Sequence, residues 1–302
     1  DAVAADDRHL LVLAGAGSGK TRVLVHRIAW QIATEQASPF GILAVTFTNK
    51  AAAEMRGRIE QLLDMSADGM WVGTFHGIAH RLLRAHWQEA GLPQGFQIID
   101  ADDQIRLIKR VIKELGLDEQ RWPARQATWF INGQKDEGLR AKHMDANGDL
   151  FVQTMQKIYF GYEEACERSG LVDFNEMLLR VLELFRDNDG LRGHYQRRFR
   201  HILVDEFQDT NSIQYAWLRL LANDDNAVTI VGDDDQSIYG WRGAKIENIH
   251  KFSRDFPDTR TIRLEQNYRS TGTILKAANA VIGNNADRLG KELWTEGSDG
   301  DP

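Results

Sequence analysis

Five short apolar runs bounded by polar turns punctuate the chain: "HLLVLAG" from His9, "GILAVTF" from Gly41, "MWVGTF" from Met70, "HILVDEF" from His201 and "AVTIVGD" from Ala227. Each carries four to six nearly continuous apolar residues, the pattern of strands covered on both faces of a parallel sheet. Helix-like segments, Lys20 to Ala33 and Asn49 to Leu63, separate the first three runs. Strand and helix alternate as in βαβ units, so the expected class is α/β.

The pattern then breaks. From His76 to Arg200 no strand-like run appears and helical periodicity takes over. In "DDQIRLIKRVIKELG" (Asp102 to Gly116), Ile105, Leu107, Ile108, Val111, Ile112 and Leu115 fall largely on one side, with carboxylates at the start and glycine at the end, as helices prefer. "FNEMLLRVLELF" (Phe174 to Phe185) repeats the pattern. An all-helical insertion of about 125 residues is therefore expected between the third and fourth strands of one parallel sheet.

Composition narrows the picture little. At 302 residues the chain has room for two domains. With 42% hydrophobic and 27% charged residues it reads as an ordinary globular protein. Cys166 is the only cysteine, which excludes a disulfide framework, makes structural zinc unexpected, and points to a reducing cytosol. No apolar run approaches the roughly 18 residues of a membrane span, and "DAVAADDRH" lacks the basic start of a signal peptide. The net charge of −7 argues mildly against a large electrostatic nucleic-acid footprint.

The chemistry begins at "AGAGSGKT", Ala14, Gly15, Ala16, Gly17, Ser18, Gly19, Lys20 and Thr21, which follows the first strand and opens the first helix. Small residues let backbone N–H groups wrap phosphates, and the helix N-terminus adds its positive dipole end. Lys20 would reach the β- and γ-phosphates, and the Thr21 hydroxyl would hold Mg²⁺. The first position of the general GxxxxGK[ST] pattern is Ala14 here. Further on, "HILVDEFQDT" brings Asp205 and Glu206 to the carboxyl end of a strand, where ligands of open α/β sheets bind. Asp205 suits the role of holding Mg²⁺; Glu206, facing the other way, suits polarisation of the attacking water. The bland alternatives are a glycine turn with a chance lysine and an acidic helix cap. The strand–loop–helix context and the pairing of the two motifs count against both.

At "DEFQDT" the chain resembles the superfamily 1 DNA helicases of the UvrD/Rep/PcrA group. The matching motifs run in family order: "AGAGSGKT", "TFTNKAAAEMR", "GTFH", "GLVDF", "LVDEFQDTN", "VGDDDQSIYGWRGA" and "LEQNYRS". In that group alanine commonly replaces the first P-loop glycine, so Ala14 joins the resemblance. The likeness implies two RecA-like domains with ATP and Mg²⁺ bound between them, each bearing an accessory insertion. Residues 1–75 and 200–265 would form the first RecA-like domain, 76–199 its helical accessory subdomain, and 266–302 the incomplete start of the second. With its sheet unfinished, the segment after about residue 270 is expected to be mobile or held by a partner. The likeness thus covers an N-terminal half.

For single residues the resemblance implies definite contacts. Gln236 would sense the γ-phosphate while Tyr239 and Trp241 stack on bases of single-stranded DNA. This accounts for aromatics set beside three aspartates in "GDDDQSIYGW", the aspartates being expected on the Mg²⁺ side. Phe47 and His76 resemble further single-strand contacts, with Thr46, Asn49 and Lys50 near the DNA backbone. Arg22 and Tyr268 match residues that flank adenine, and Arg269 one that reaches the γ-phosphate. Basic clusters such as "RLIKR" and "QRRFR" read as solvated faces.

The function so implied is ATP-driven 3′-to-5′ translocation on single-stranded DNA with unwinding at single-strand/duplex junctions, in bacterial cytosolic DNA repair. The expected partners are the second RecA-like domain of the same full-length chain and repair proteins, with no membrane. A helicase–nuclease motor of the RecB/AddA type and a nucleotide-switched binding module are the rivals.

Overall fold

The computed structural model describes residues 1–145, 147–240, 243–285 and 288–300. Strand β1 (His9–Ala14) leads through the glycine loop into α1 (Lys20–Ala33), followed by β2 (Ile42–Thr46), α2 (Asn49–Leu63) and β3 (Trp71–Thr74). Next come α3 (Phe75–Ala85), β4 (Gln97–Ile98), α4 (Ala101–Glu114), α5 (Ala124–Asp136), α6 (Leu150–Ser169), β5 (Leu171–Val172) and α7 (Phe174–Asp187). Then follow α8 (Asp189–Arg198), β6 (His201–Val204), α9 (Ser212–Leu221), β7 (Ala227–Gly232), α10 (Glu247–Asp255), β8 (Arg260–Leu264) and α11 (Gly272–Ile282).

Six strands form one parallel sheet in the order β3-β2-β6-β7-β1-β8. All six residues of β1 are buried, as a strand sandwiched between helix layers requires. Leu10 and Val12 pack with Leu24 and Ile28 of α1 and with Met55 and Ile59 of α2 in one core cluster. Strand β8 was not among the five apolar runs. It lies at the sheet edge with Arg260, Thr261 and Arg263 exposed, so its sequence is half polar.

The chain divides into two compact units. One holds Asp1–Phe75, Gly193–Thr210 and the chain from Leu221 on; the other holds His76–Arg192 and Asn211–Leu220. Among the described residues, the second unit is helical apart from a two-residue parallel ladder, Gln97–Ile98 beside Leu171–Val172, too short for a hydrophobic pattern to register. Leu107, Ile108, Val111 and Ile112 of α4 are buried there with Ile131, Ile158 and Tyr159. Leu115, expected in the same stripe, caps the helix and is 44% exposed. Beneath them Lys135 lies within 2.7 Å of Asp173 and 2.8 Å of Glu176, and Tyr162 donates to Asp173. Arg140 and Arg180 also pair with Glu176. That charge balance is what makes a buried lysine tolerable.

Residues after 270, expected to be mobile or held by a partner, lie on the first unit. Leu275 and Lys291 are buried, Trp294 N–H donates to the Glu265 carbonyl at 3.1 Å, and Asn267 N–H donates to the Trp294 carbonyl at 2.7 Å. Among the described residues no helix is long and apolar enough to cross a membrane.

Candidate active site

Ala14 ends β1 as a buried residue, and the loop that follows is shaped by glycine. Gly17 and Gly19 hold φ values of 72° and 91°, and Gly19 caps α1 in the left-handed region, which side chains resist. Ser18 closes the turn from within, its hydroxyl donating to the Gly15 carbonyl at 2.7 Å. Helix α1 carries no acidic residue in its first turn. Its free N–H groups and dipole therefore favour an anion.

Sheet order explains what meets this loop. Strand β7 lies between β1 and β6, so the turn after β7 delivers Gln236 between the glycine loop and the acidic pair. Lys20 Nζ stands 2.9 Å from Glu206 Oε2 and 3.3 Å from Gln236 Oε1. The Thr21 hydroxyl donates to Asp205 Oδ2 at 2.9 Å. Glu206 has a φ of 49°, a costly conformation for a residue with a Cβ. That turn sends Asp205 toward Thr21 and Glu206 toward Lys20. Gln208 ties both arms together: its amide donates to Glu206 Oε2 at 2.8 Å, and its carbonyl oxygen accepts from Asp233 N–H at 3.0 Å. Gln208, part of "LVDEFQDTN" with no expected role, is brought inward only by the turn.

Burial, and next the Glu206 charge beside it, pushes the Asp205 carboxyl up to about 6. A buried carboxylate 2.9 Å from a hydroxyl is a hard-oxygen pair that an added cation would relieve, so the residues present fit Mg²⁺.

A cleft of about 570 Å³ opens over Lys20 and Thr21, bounded by Arg22, Glu206, Gln236, Tyr268 and Arg269. Tyr268 is 74% exposed, with its N–H donating to the Gly17 carbonyl at 3.0 Å. Asn267, part of "LEQNYRS" with no expected role, is the anchor. Buried, it donates to the Ala16 carbonyl at 2.5 Å and accepts from the Arg269 and Ser270 amides at 2.7 Å each.

Of the expected single-strand contacts, Phe47 is half-buried with its ring edge-on to Phe75 at 5.8 Å. Asn49 and Lys50 are exposed at the start of α2. Thr46 is buried at the end of β2. Tyr239 is half-buried, and Trp241 lies outside the described residues. His76 belongs to the helical unit. There it lies edge-on to Phe174 at 5.8 Å, with burial lowering its pKa. Asp233, Asp234 and Asp235, expected on the Mg²⁺ side, all pair with Lys291.

Residues 1–257 match the family model described as "UvrD/REP helicase N-terminal domain". The whole chain is 66% identical to "DNA helicase II" of Escherichia coli strain K12, of which it covers 42%. Identity is 61% to "DNA helicase II" of Haemophilus influenzae, with 99% of this chain and 42% of the relative covered. It is 45% to "ATP-dependent DNA helicase PcrA" of Leuconostoc citreum, with the whole chain and 40% of the relative covered. The chain thus spans about 40% of the length of these relatives.

Proposed function

The chain belongs to the UvrD/REP helicase N-terminal domain family, and on that premise we propose that it is the ATP-binding, single-strand-binding half of a DNA helicase motor. The observation that carries this reading is the contact of one lysine, Lys20, with both Glu206 and Gln236 while Thr21 faces Asp205. Three strand ends bring Lys20, Glu206, Gln236 and the Thr21–Asp205 pair together.

The loop from Ala14 to Thr21 cradles the phosphates, and Lys20 neutralises their charge. Thr21 and Asp205 would hold Mg²⁺, which supplies charge neutralisation at the β- and γ-phosphates when bound. An incoming γ-phosphate competes with Glu206 for the Lys20 ammonium. The released carboxylate accepts a proton from water as the oxygen attacks phosphorus and the bond to ADP breaks. Gln236 senses the γ-phosphate, Arg269 approaches it from the far side, and Arg22 and Tyr268 flank adenine, with Tyr268 stacked on it. Phe47, Asn49, His76, Tyr239 and Trp241 follow the single strand; stacking tolerates any base, as a motor needs.

The full-length chain supplies the second RecA-like domain and acts at single-strand/duplex junctions, 3′ to 5′, with repair proteins in the bacterial cytosol. The test is unwinding of a tailed duplex by the full-length protein, measured alongside DNA-stimulated ATP hydrolysis. Unwinding with stimulation is expected. Nucleotide and DNA binding without unwinding would support a binding switch instead.

A further inference from the structure

The turn that carries Gln236 is built from three consecutive carboxylates. Within Asp233, Asp234 and Asp235, one oxygen of each lies within 4.8 Å of the others. Unscreened, such a turn would push itself apart. Its centre is filled by one ammonium: Lys291 Nζ stands 2.6 Å from Asp233, 2.6 Å from Asp234 and 2.8 Å from Asp235, with its side chain only 2% exposed. Arg288 adds a two-pronged contact to Asp235 at 2.8 Å on each nitrogen, and Leu289 N–H donates to Asp234 at 2.8 Å. Burial disfavours the charge on Lys291, yet its three carboxylate partners outweigh that and raise its pKa.

The turn leads straight to the chemistry. Asp233 accepts a short hydrogen bond from the Gln236 amide, and Gln236 Oε1 accepts from Lys20 at 3.3 Å. The Asp233 backbone N–H also reaches Gln208, which holds Glu206. From Lys291 to Lys20 the path is therefore two side chains long.

We propose that Lys291 is a positioning residue for nucleotide hydrolysis: its ammonium locks the Asp233–Asp235 turn and so holds Gln236 against Lys20. This rests on the reading of the cleft as an ATP-hydrolysing site. Lys291 touches no reacting atom itself. Without it, three carboxylates share a buried turn with no central cation, Asp233 swings away, and Gln236 follows.

The test is a double-mutant cycle in the full-length protein with Lys291→Met, Gln236→Ala and the pair. Lys291→Met should lower kcat for ATP by ~10–100-fold, the cost of a displacement of about 1 Å at a reacting centre, with KM for ATP little changed. In the Gln236→Ala background the same change should cost far less than in the parent, because Gln236 is the side chain that Asp233 holds against Lys20. Losses that multiply, or an unchanged kcat, would overturn the proposal. If Lys291→Met does not fold, Arg288→Gln replaces it in the cycle, with a smaller loss and the same non-additivity expected. A parent protein that hydrolyses no ATP would refute the site reading itself, an outcome distinct from these.

Discussion

Asn267 holds the glycine loop by its edge: the side-chain amide donates to the Ala16 carbonyl at 2.5 Å while its oxygen accepts the Arg269 and Ser270 amides. One buried side chain thus fixes the spacing between the glycine loop and the segment carrying Tyr268 and Arg269. Asn267→Ala leaves a carbonyl and two N–H groups without this partner, each unsatisfied group costing ~1–3 kcal/mol when buried. The expected result is weaker nucleotide binding together with slower hydrolysis. A nucleotide titration and a steady-state ATPase assay on the same variant check it.

Asp205 makes the free cleft sensitive to pH. Its carboxyl is pushed from 3.8 up to about 6, by burial first and the Glu206 charge second. The folded protein then binds more protons than the unfolded chain between those two values. Stability therefore falls as pH rises through that window, and the full cost stands above it. Asp205→Asn removes the charge, so without Mg²⁺ the variant should be more stable by ~1–3 kcal/mol near pH 8. The gain should fade by about pH 4. Denaturant unfolding across this pH range measures it, and a gain independent of pH would contradict the assignment.

Phe47 separates two uses of an aromatic ring. Half-buried and edge-on to Phe75, it is open enough to meet a base. Phe47→Ala should weaken single-strand binding by ~1–3 kcal/mol, the worth of one stacked base. The loss in unfolding free energy should stay well below the ~3–5 kcal/mol of a buried ring. Fluorescence titration with oligonucleotide and a melting curve decide between them. A large stability loss with unchanged DNA affinity would make the ring part of the core.

Much of this architecture is legible in the sequence because buried parallel strands and amphipathic helices leave strong periodic signals. The runs at His9, Gly41, Met70, His201 and Ala227 all became strands of one sheet. Strand β8 escaped because an edge strand keeps polar side chains, and β4 and β5 because two residues make no pattern. The glycine loop and the DE pair announced themselves through spacing. Gln208 and Asn267 did not: their importance comes from a left-handed turn at Glu206 and from a segment some 250 residues downstream of the loop it grips. Lys135 likewise looks like any surface lysine until Asp173 and Glu176 close around it. Lys291 gave no signal either, since nothing local ties it to the aspartates it neutralises.

On the proposed function, the ends of β1, β6 and β7 form one hydrolytic site with Glu206 as the base and Lys20 as the phosphate ligand. Glu206→Gln keeps the side-chain shape and an oxygen for Lys20, and removes only the proton acceptor. The most direct measurement is single-turnover hydrolysis of ATP by the full-length Glu206→Gln protein, with nucleotide binding titrated on the same preparation. Binding close to that of the parent, with hydrolysis slowed by ~10²–10⁴-fold, is the predicted result. Hydrolysis at the parental rate would contradict it.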